Sequence, residues 1–163
     1  MDPIPQQVVQ DVQEEFKGIE EPGLREKAEA LNEKQPELMA FLQASANELE
    51  QDPADLTVYL AFMIARMYEA AYGEDVPQVS PEQIIESYRQ NEKIFEQMAE
   101  NGAPDQPPAA EDPSQPHLLR YLTRVLTKST EKTNEKPLNN EQKGRIFLTL
   151  KTIIDALDRK LQQ

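Results

Sequence analysis

Cysteine and tryptophan are absent from this 163-residue chain, histidine occurs once and glycine only five times. Without cysteine there is no disulfide, thiolate nucleophile or sulfur metal site. A lone histidine cannot build the helical zinc and di-iron sites, which set histidines beside carboxylates. That histidine, His117, follows a proline-rich stretch in the first turn of a helix, where a surface position is expected. Five scattered glycines form no phosphate-cradling loop. Runs of alternating aromatic or β-branched residues are missing too, which leaves an all-α class. No window holds the roughly 20 uncharged apolar residues of a membrane span. The best, Leu56 to Tyr72, is interrupted by Arg66 and Glu69 and preceded by Asp55. The start, MDPIPQQ, lacks the basic-then-apolar pattern of a signal peptide, so a cytoplasmic location is expected.

Charge is plentiful, and one sign dominates. The net charge of −13 argues against a general nucleic-acid binder, whose affinity comes from neutralising phosphates. The total conceals a split. Residues 1–112 hold 25 acidic and 7 basic side chains, a balance of −18, whereas residues 113–163 hold 5 and 10, a balance of +5. The halves should attract each other, or a partner of opposite charge.

The thirteen prolines fall at the edges of periodic segments, where helices tolerate them. Helices are expected over Pro5 to Ile19, Leu24 to Glu33 and Pro36 to Gln51. The next, Leu56 to Tyr72, is apolar on nearly every side and must be surrounded by other elements. Asp52 suits its N-cap, Pro53 its first position and Gly73 its end. Ser80-Pro81-Glu82-Gln83 is a capping box that opens a helix with Ile84, Tyr88, Phe95 and Met98 on one face. Residues 102–116 carry five prolines and read as a linker. A helix from Pro116 to Glu131 and a last one from Asn139 or Asn140 complete the chain. The organisation expected is one domain over residues 1–163. It has an acidic helical part at 1–101, the linker at 102–116 and a basic helical hairpin at 117–163.

Gln35-Pro36-Glu37-Leu38-Met39-Ala40-Phe41-Leu42 matches Gln115-Pro116-His117-Leu118-Leu119-Arg120-Tyr121-Leu122 in the pattern QPxLxx[FY]L. Downstream, Leu56, Leu60, Met63, Ile64 and Met67 match Ile146, Leu150, Ile153, Ile154 and Leu157. Two readings stand side by side. One is a pair of related helical hairpins packed with pseudo-two-fold symmetry; the other is the general likeness of amphipathic helices.

No motif singles out a catalytic, cofactor-binding or metal-binding residue. Two acidic pairs come nearest: Glu26 and Glu29 form ExxE, and Asp52 and Asp55 form DxxD at the head of the apolar helix. Facing pairs of this kind could hold Mg²⁺ on a nucleotide phosphate. The arrangement loosely resembles the ExxE and ExxD of the all-α nucleotide pyrophosphohydrolases, with Asp52 for a Glu and Pro53 inside the second pair. Capping explains both aspartates equally well. Arg120, Arg124, Lys128 and Lys132 recur every fourth residue and make a basic ridge. That ridge could grip an acidic protein or another anion, or lie against the acidic half of its own chain. Arg66, alone in an apolar helix, should be paired or reach water.

The sequence therefore predicts an all-α bundle of five to seven helices, without a cofactor. The expected role is non-enzymatic, binding another protein or a second copy of itself. A Mg²⁺-dependent hydrolase and an anion- or nucleic-acid-binding module are the alternatives.

Overall fold

The computed structural model describes residues 2–73, 76–100, 115–128 and 138–162. Seven helices form there: α1 (Gln6–Phe16), α2 (Glu21–Lys34), α3 (Pro36–Ala46), α4 (Gln51–Tyr72), α5 (Pro81–Glu100), α6 (Pro116–Lys128) and α7 (Asn140–Gln162). The described residues hold no strand, so the protein is an all-α bundle. None of these helices is long and apolar enough to cross a membrane. Residues 102–114 of the expected linker, and the expected end of α6 at Glu131, lie outside the described residues.

An all-round apolar helix needs neighbours on all sides, and α4 has them in α1, α2, α3 and α7. Leu60, Ala61, Phe62, Met63, Ile64, Met67 and Tyr68 are buried as a result. Its counterpart α7 packs on α3, α4, α5 and α6. Buried side chains from α1, α3, α4, α5, α6 and α7 form one connected core. Each fully buried large aliphatic contributes about 1.5–3 kcal/mol.

Several helix ends differ from expectation. The α1 helix stops at Phe16 rather than Ile19, and α2 begins at Glu21 rather than Leu24, with Pro22 in its first turn. The α3 helix stops at Ala46 rather than Gln51. Glu50, not Asp52, occupies the N-cap of α4, and no side chain caps that end. One cause covers both prolines. The first N–H groups of any helix lack intrahelical partners, so proline is tolerated throughout the first turn and does not select one position. The capping box that opens α5 forms as the sequence predicts. Ser80 and Gln83 exchange side-chain-to-backbone bonds of 3.2 and 3.0 Å, and Asn139 with Gln142 repeats the device at 2.8 and 3.0 Å. Gly73 closes α4 with φ of +98°, a conformation that disfavours a side chain.

Helix contacts fall into matched pairs. Packing of α1 on α4 is repeated by α5 on α7, α3 on α4 by α6 on α7, and α3 on α5 by α6 on α1. At the centre α4 and α7 pack on each other. The second helix of each half thus lies against the first helix of the other half. By these contacts the halves meet between α4 and α5, ahead of residues 102–116, and α2 has no counterpart among the described residues. Burial follows the same pairing. Val9, Val12 and Phe16 of α1 correspond to Ile84, Ser87 and Asn91 of α5, all buried. Leu38, Leu42 and Ala46 correspond to Leu118, Leu122 and Leu126, again all buried. Leu60, Met63, Ile64 and Met67 correspond to Leu150, Ile153, Ile154 and Leu157.

The glutamine of each QPxLxx[FY]L segment is what joins the halves. Gln35 is buried, takes the Val79 N–H on Oε1 at 3.0 Å and donates to the Pro77 carbonyl at 2.9 Å. Gln115 is buried, takes the Ile4 N–H on Oε1 at 2.8 Å, and donates to Tyr72 Oη and Asp158 Oδ1 at 2.9 Å each. Each therefore holds the extended segment that leads into the first helix of the opposite half. Ile4 and Val79, the residues held, are themselves fully buried. A buried backbone N–H needs an acceptor, and these glutamines supply it where no helix or sheet can. Where α4 meets α7, the corresponding residues Tyr68 and Asp158 bond to each other at 2.6 Å.

Candidate functional site

The matched packing of α3 on α5 and of α6 on α1 creates two surface depressions at corresponding places. The first, about 380 Å³, runs between α3 and α5. Phe41, Ala44, Ile85 and Tyr88 form its walls, and Glu48, Arg89 and Glu92 its rim. The Phe41 and Tyr88 rings meet edge to face with centroids 6.0 Å apart, which fixes the floor. Burial and the neighbouring Glu92 carboxylate raise the Tyr88 phenol, so it stays neutral and apolar in character. Ile85 is 49% exposed and Ile94 39%, and they are the large hydrophobic side chains left exposed among the described residues. Both belong to α5, on opposite flanks of its buried face. Ile85 also floors a second shallow hollow, about 530 Å³, between Glu82, Glu86 and Arg89 on the outer side of α5.

The second depression, between α1 and α6, is about 60 Å³ and lined by polar and apolar surface in equal measure, Val9 included. Gln10 and Gln13 line it from α1, and His117, Arg120, Tyr121 and Arg124 from α6. Burial pushes the Tyr121 phenol up to about 12, against the lowering influence of its hydrogen bond with Gln13. Arg120 and Arg124 are exposed, and neither makes an ion pair with a described residue.

The ridge therefore does not lie against the acidic half through ion pairs of these two arginines. Attraction between residues 1–112 and 113–163 runs through α7 instead: Arg145 pairs with Glu48, and Arg159 with Glu86 at 3.3 Å. The reason is geometric, because α6 meets α1 along a face where α1 presents glutamines. Lys128 ends α6 and Lys132 lies outside the described residues. His117 is half-buried rather than a simple surface residue, and its buried Nδ1 has no hydrogen-bond partner among the described residues.

Glu26, Glu29, Asp52 and Asp55 are all exposed. Asp55 accepts a 2.6 Å bond from Gln51 Nε2 in the first turn of α4. No three or more His, Asp or Glu side chains among the described residues gather where they could hold a metal ion, so the two acidic pairs do not converge. Arg66 is paired: its Nε lies 3.0 Å from Glu15 of α1 and its Nη1 3.7 Å from Glu69. With a third of its side chain exposed, it joins α4 to α1 at the bundle surface.

Phe41, Ile85 and Tyr88 were not singled out by the sequence as a site, yet one signal was available. Ile84 completes the apolar stripe of α5, so the adjacent Ile85, about 100° round the helix, is surplus to it. Compared with protein-family models, with curated proteins and with solved structures, the chain matches none of them.

Proposed function

We propose that the protein acts in the cytoplasm without catalysis, as a module that binds an amphipathic helix of another protein in the α3/α5 groove. The observation that carries this reading is the placement of Ile85. Ile85 stands half-exposed between two open hollows, and a partner helix would bury it with Phe41 and Tyr88. Both walls of the groove come from residues 1–112, whose balance is −18, so the favoured partner carries basic residues beside its apolar stripe.

The test is affinity capture from cells with the wild type and with Ile85→Asp, followed by titration with a basic and an acidic amphipathic peptide. The expected outcome is a partner lost in Ile85→Asp and tighter binding of the basic peptide. Identical captured proteins and no peptide preference would sink the reading. Self-association is the competing outcome, and sedimentation that shows a concentration-dependent dimer abolished by Ile85→Asp would replace the foreign helix with a second copy. The hydrolase alternative is tested separately, by Mg²⁺-dependent nucleotide turnover that disappears in Glu29→Ala and Asp52→Ala.

A further inference from the structure

The bundle builds one groove twice and gives the copies opposite chemistry. Where the α3/α5 groove has Phe41, Ala44, Ile85 and Tyr88, the α1/α6 depression has Tyr121, Arg124, Gln10 and Gln13 at the corresponding places. Ile85, Tyr88 and Ala44 of the first copy are replaced by two amides and a guanidinium in the second, while Tyr121 stands where Phe41 does.

Charge on the facing helix is distributed to match. The α1 helix carries Asp11, Glu14 and Glu15, yet none of them lines the depression. Asp11 accepts from Gln7 at 2.9 Å, and Glu15 pairs with Arg66. Arg120 and Arg124, four residues apart on one helix, are thus held beside each other and left unneutralised by α1. Like charges at this spacing repel, and an anion bound between them would remove the repulsion. Guanidinium forks match the oxygens of a phosphate, and the Gln10 and Gln13 amides add neutral donors across the gap. The His117 ring lines the same place. The depression, about 60 Å³, is much the smaller of the two and suits a small oxyanion group.

We infer that the α1/α6 depression binds a phosphate-sized oxyanion through Arg120 and Arg124, with Gln10, Gln13 and His117 completing the site. It is a separate site from the α3/α5 groove, and either can fail without the other.

The experiment is an NMR titration of the ¹⁵N-labelled full chain with inorganic phosphate, exchanged for chloride at constant ionic strength. Saturable shifts at His117, Arg120, Arg124, Gln10 and Gln13 are expected. The Arg120→Gln/Arg124→Gln double variant should weaken binding by about ten-fold or more, because both charged donors are gone, while Arg145→Gln stays close to wild type. Phenyl phosphate distinguishes the source: tighter binding than the free ion means the phosphate is carried on a larger molecule, and equal binding means the ion itself. No saturable shift at these residues, or a double variant that binds as the wild type does, overturns the site. Should the double variant not fold, Arg124→Lys replaces it, with binding weakened several-fold through loss of the fork alone.

Discussion

Gln115→Ala removes three buried hydrogen bonds with a single truncation and leaves the fold no simple substitute. The amide takes the Ile4 N–H at 2.8 Å and donates to Tyr72 and Asp158 at 2.9 Å. Tyr72 keeps a bond to the Asp2 carbonyl at 2.8 Å, and Asp158 keeps the Tyr68 hydroxyl at 2.6 Å, so those two groups retain partners. The Ile4 N–H does not. An orphaned buried donor costs about 1–3 kcal/mol, and each lost bond to a group that keeps a partner roughly 1 kcal/mol more. The sum is ~4 kcal/mol. Detachment of the 2–5 segment would relieve only the orphaned N–H, about 2 kcal/mol of that sum, and would give up about 2–3 kcal/mol of Ile4 burial and the Tyr72 bond to Asp2, so the two responses lie close together. We therefore expect a destabilisation of about 4 kcal/mol, with faster amide exchange at Ile4 than in the rest of the core. Urea unfolding followed by circular dichroism measures the first, and hydrogen exchange the second. If Gln115→Ala detaches the segment, Ile4→Ala should add little to it, and the double variant should fall short of the sum by at least about 1 kcal/mol. Strict additivity, or a loss below about 0.5 kcal/mol for Gln115→Ala, would refute the role given to this glutamine.

Gln35→Ala should cost about 2–3 kcal/mol for the same reason, with the exchange effect at Val79, whose N–H is held at 3.0 Å. Ile64→Ala should lose about 2–5 kcal/mol in the same urea assay, since a fully buried side chain leaves a cavity between α4 and its neighbours. Arg66→Gln, although in the central helix, should cost no more than about 1 kcal/mol, because its ion pairs are part-exposed; a cycle with Glu15→Gln measures the coupling. Alkaline pH should unfold the protein through its tyrosines. Burial raises both Tyr68 and Tyr121, so the fold favours the protonated phenols: their contribution is complete below pH 10 and drains as pH climbs toward about 12 for Tyr121. For Tyr68 the adjacent Asp158 carboxylate acts in the same direction. Tyr121→Phe should leave stability at pH 7 nearly unchanged and flatten its fall above pH 10.

The α4 helix, the Ser80–Gln83 capping box and the apolar stripes of α6 and α7 were legible because each depends on residues within one or two turns. The likeness of Gln35 and Gln115 was legible as letters. Its meaning was not, since the groups they hold are 44 and 111 residues away. The start of α4 escaped because Pro53 suits any place in a first turn. The balance of charge between the halves predicted attraction but not its route through Arg145 and Arg159, which depends on which face of each helix meets which neighbour.

Sequence alone determined that the chain is helical, where most helices lie, which face of each is apolar, and that Leu56 to Tyr72 must be enclosed. These are local matters of periodicity, capping and solvation. Only tertiary structure decided that the second helix of each half crosses to the first helix of the other, because many pairings of amphipathic helices bury similar area. That crossing makes the groove twice. It leaves Ile85 half in water at one copy, and at the other sets two arginines, without an ion pair among the described residues, against glutamines.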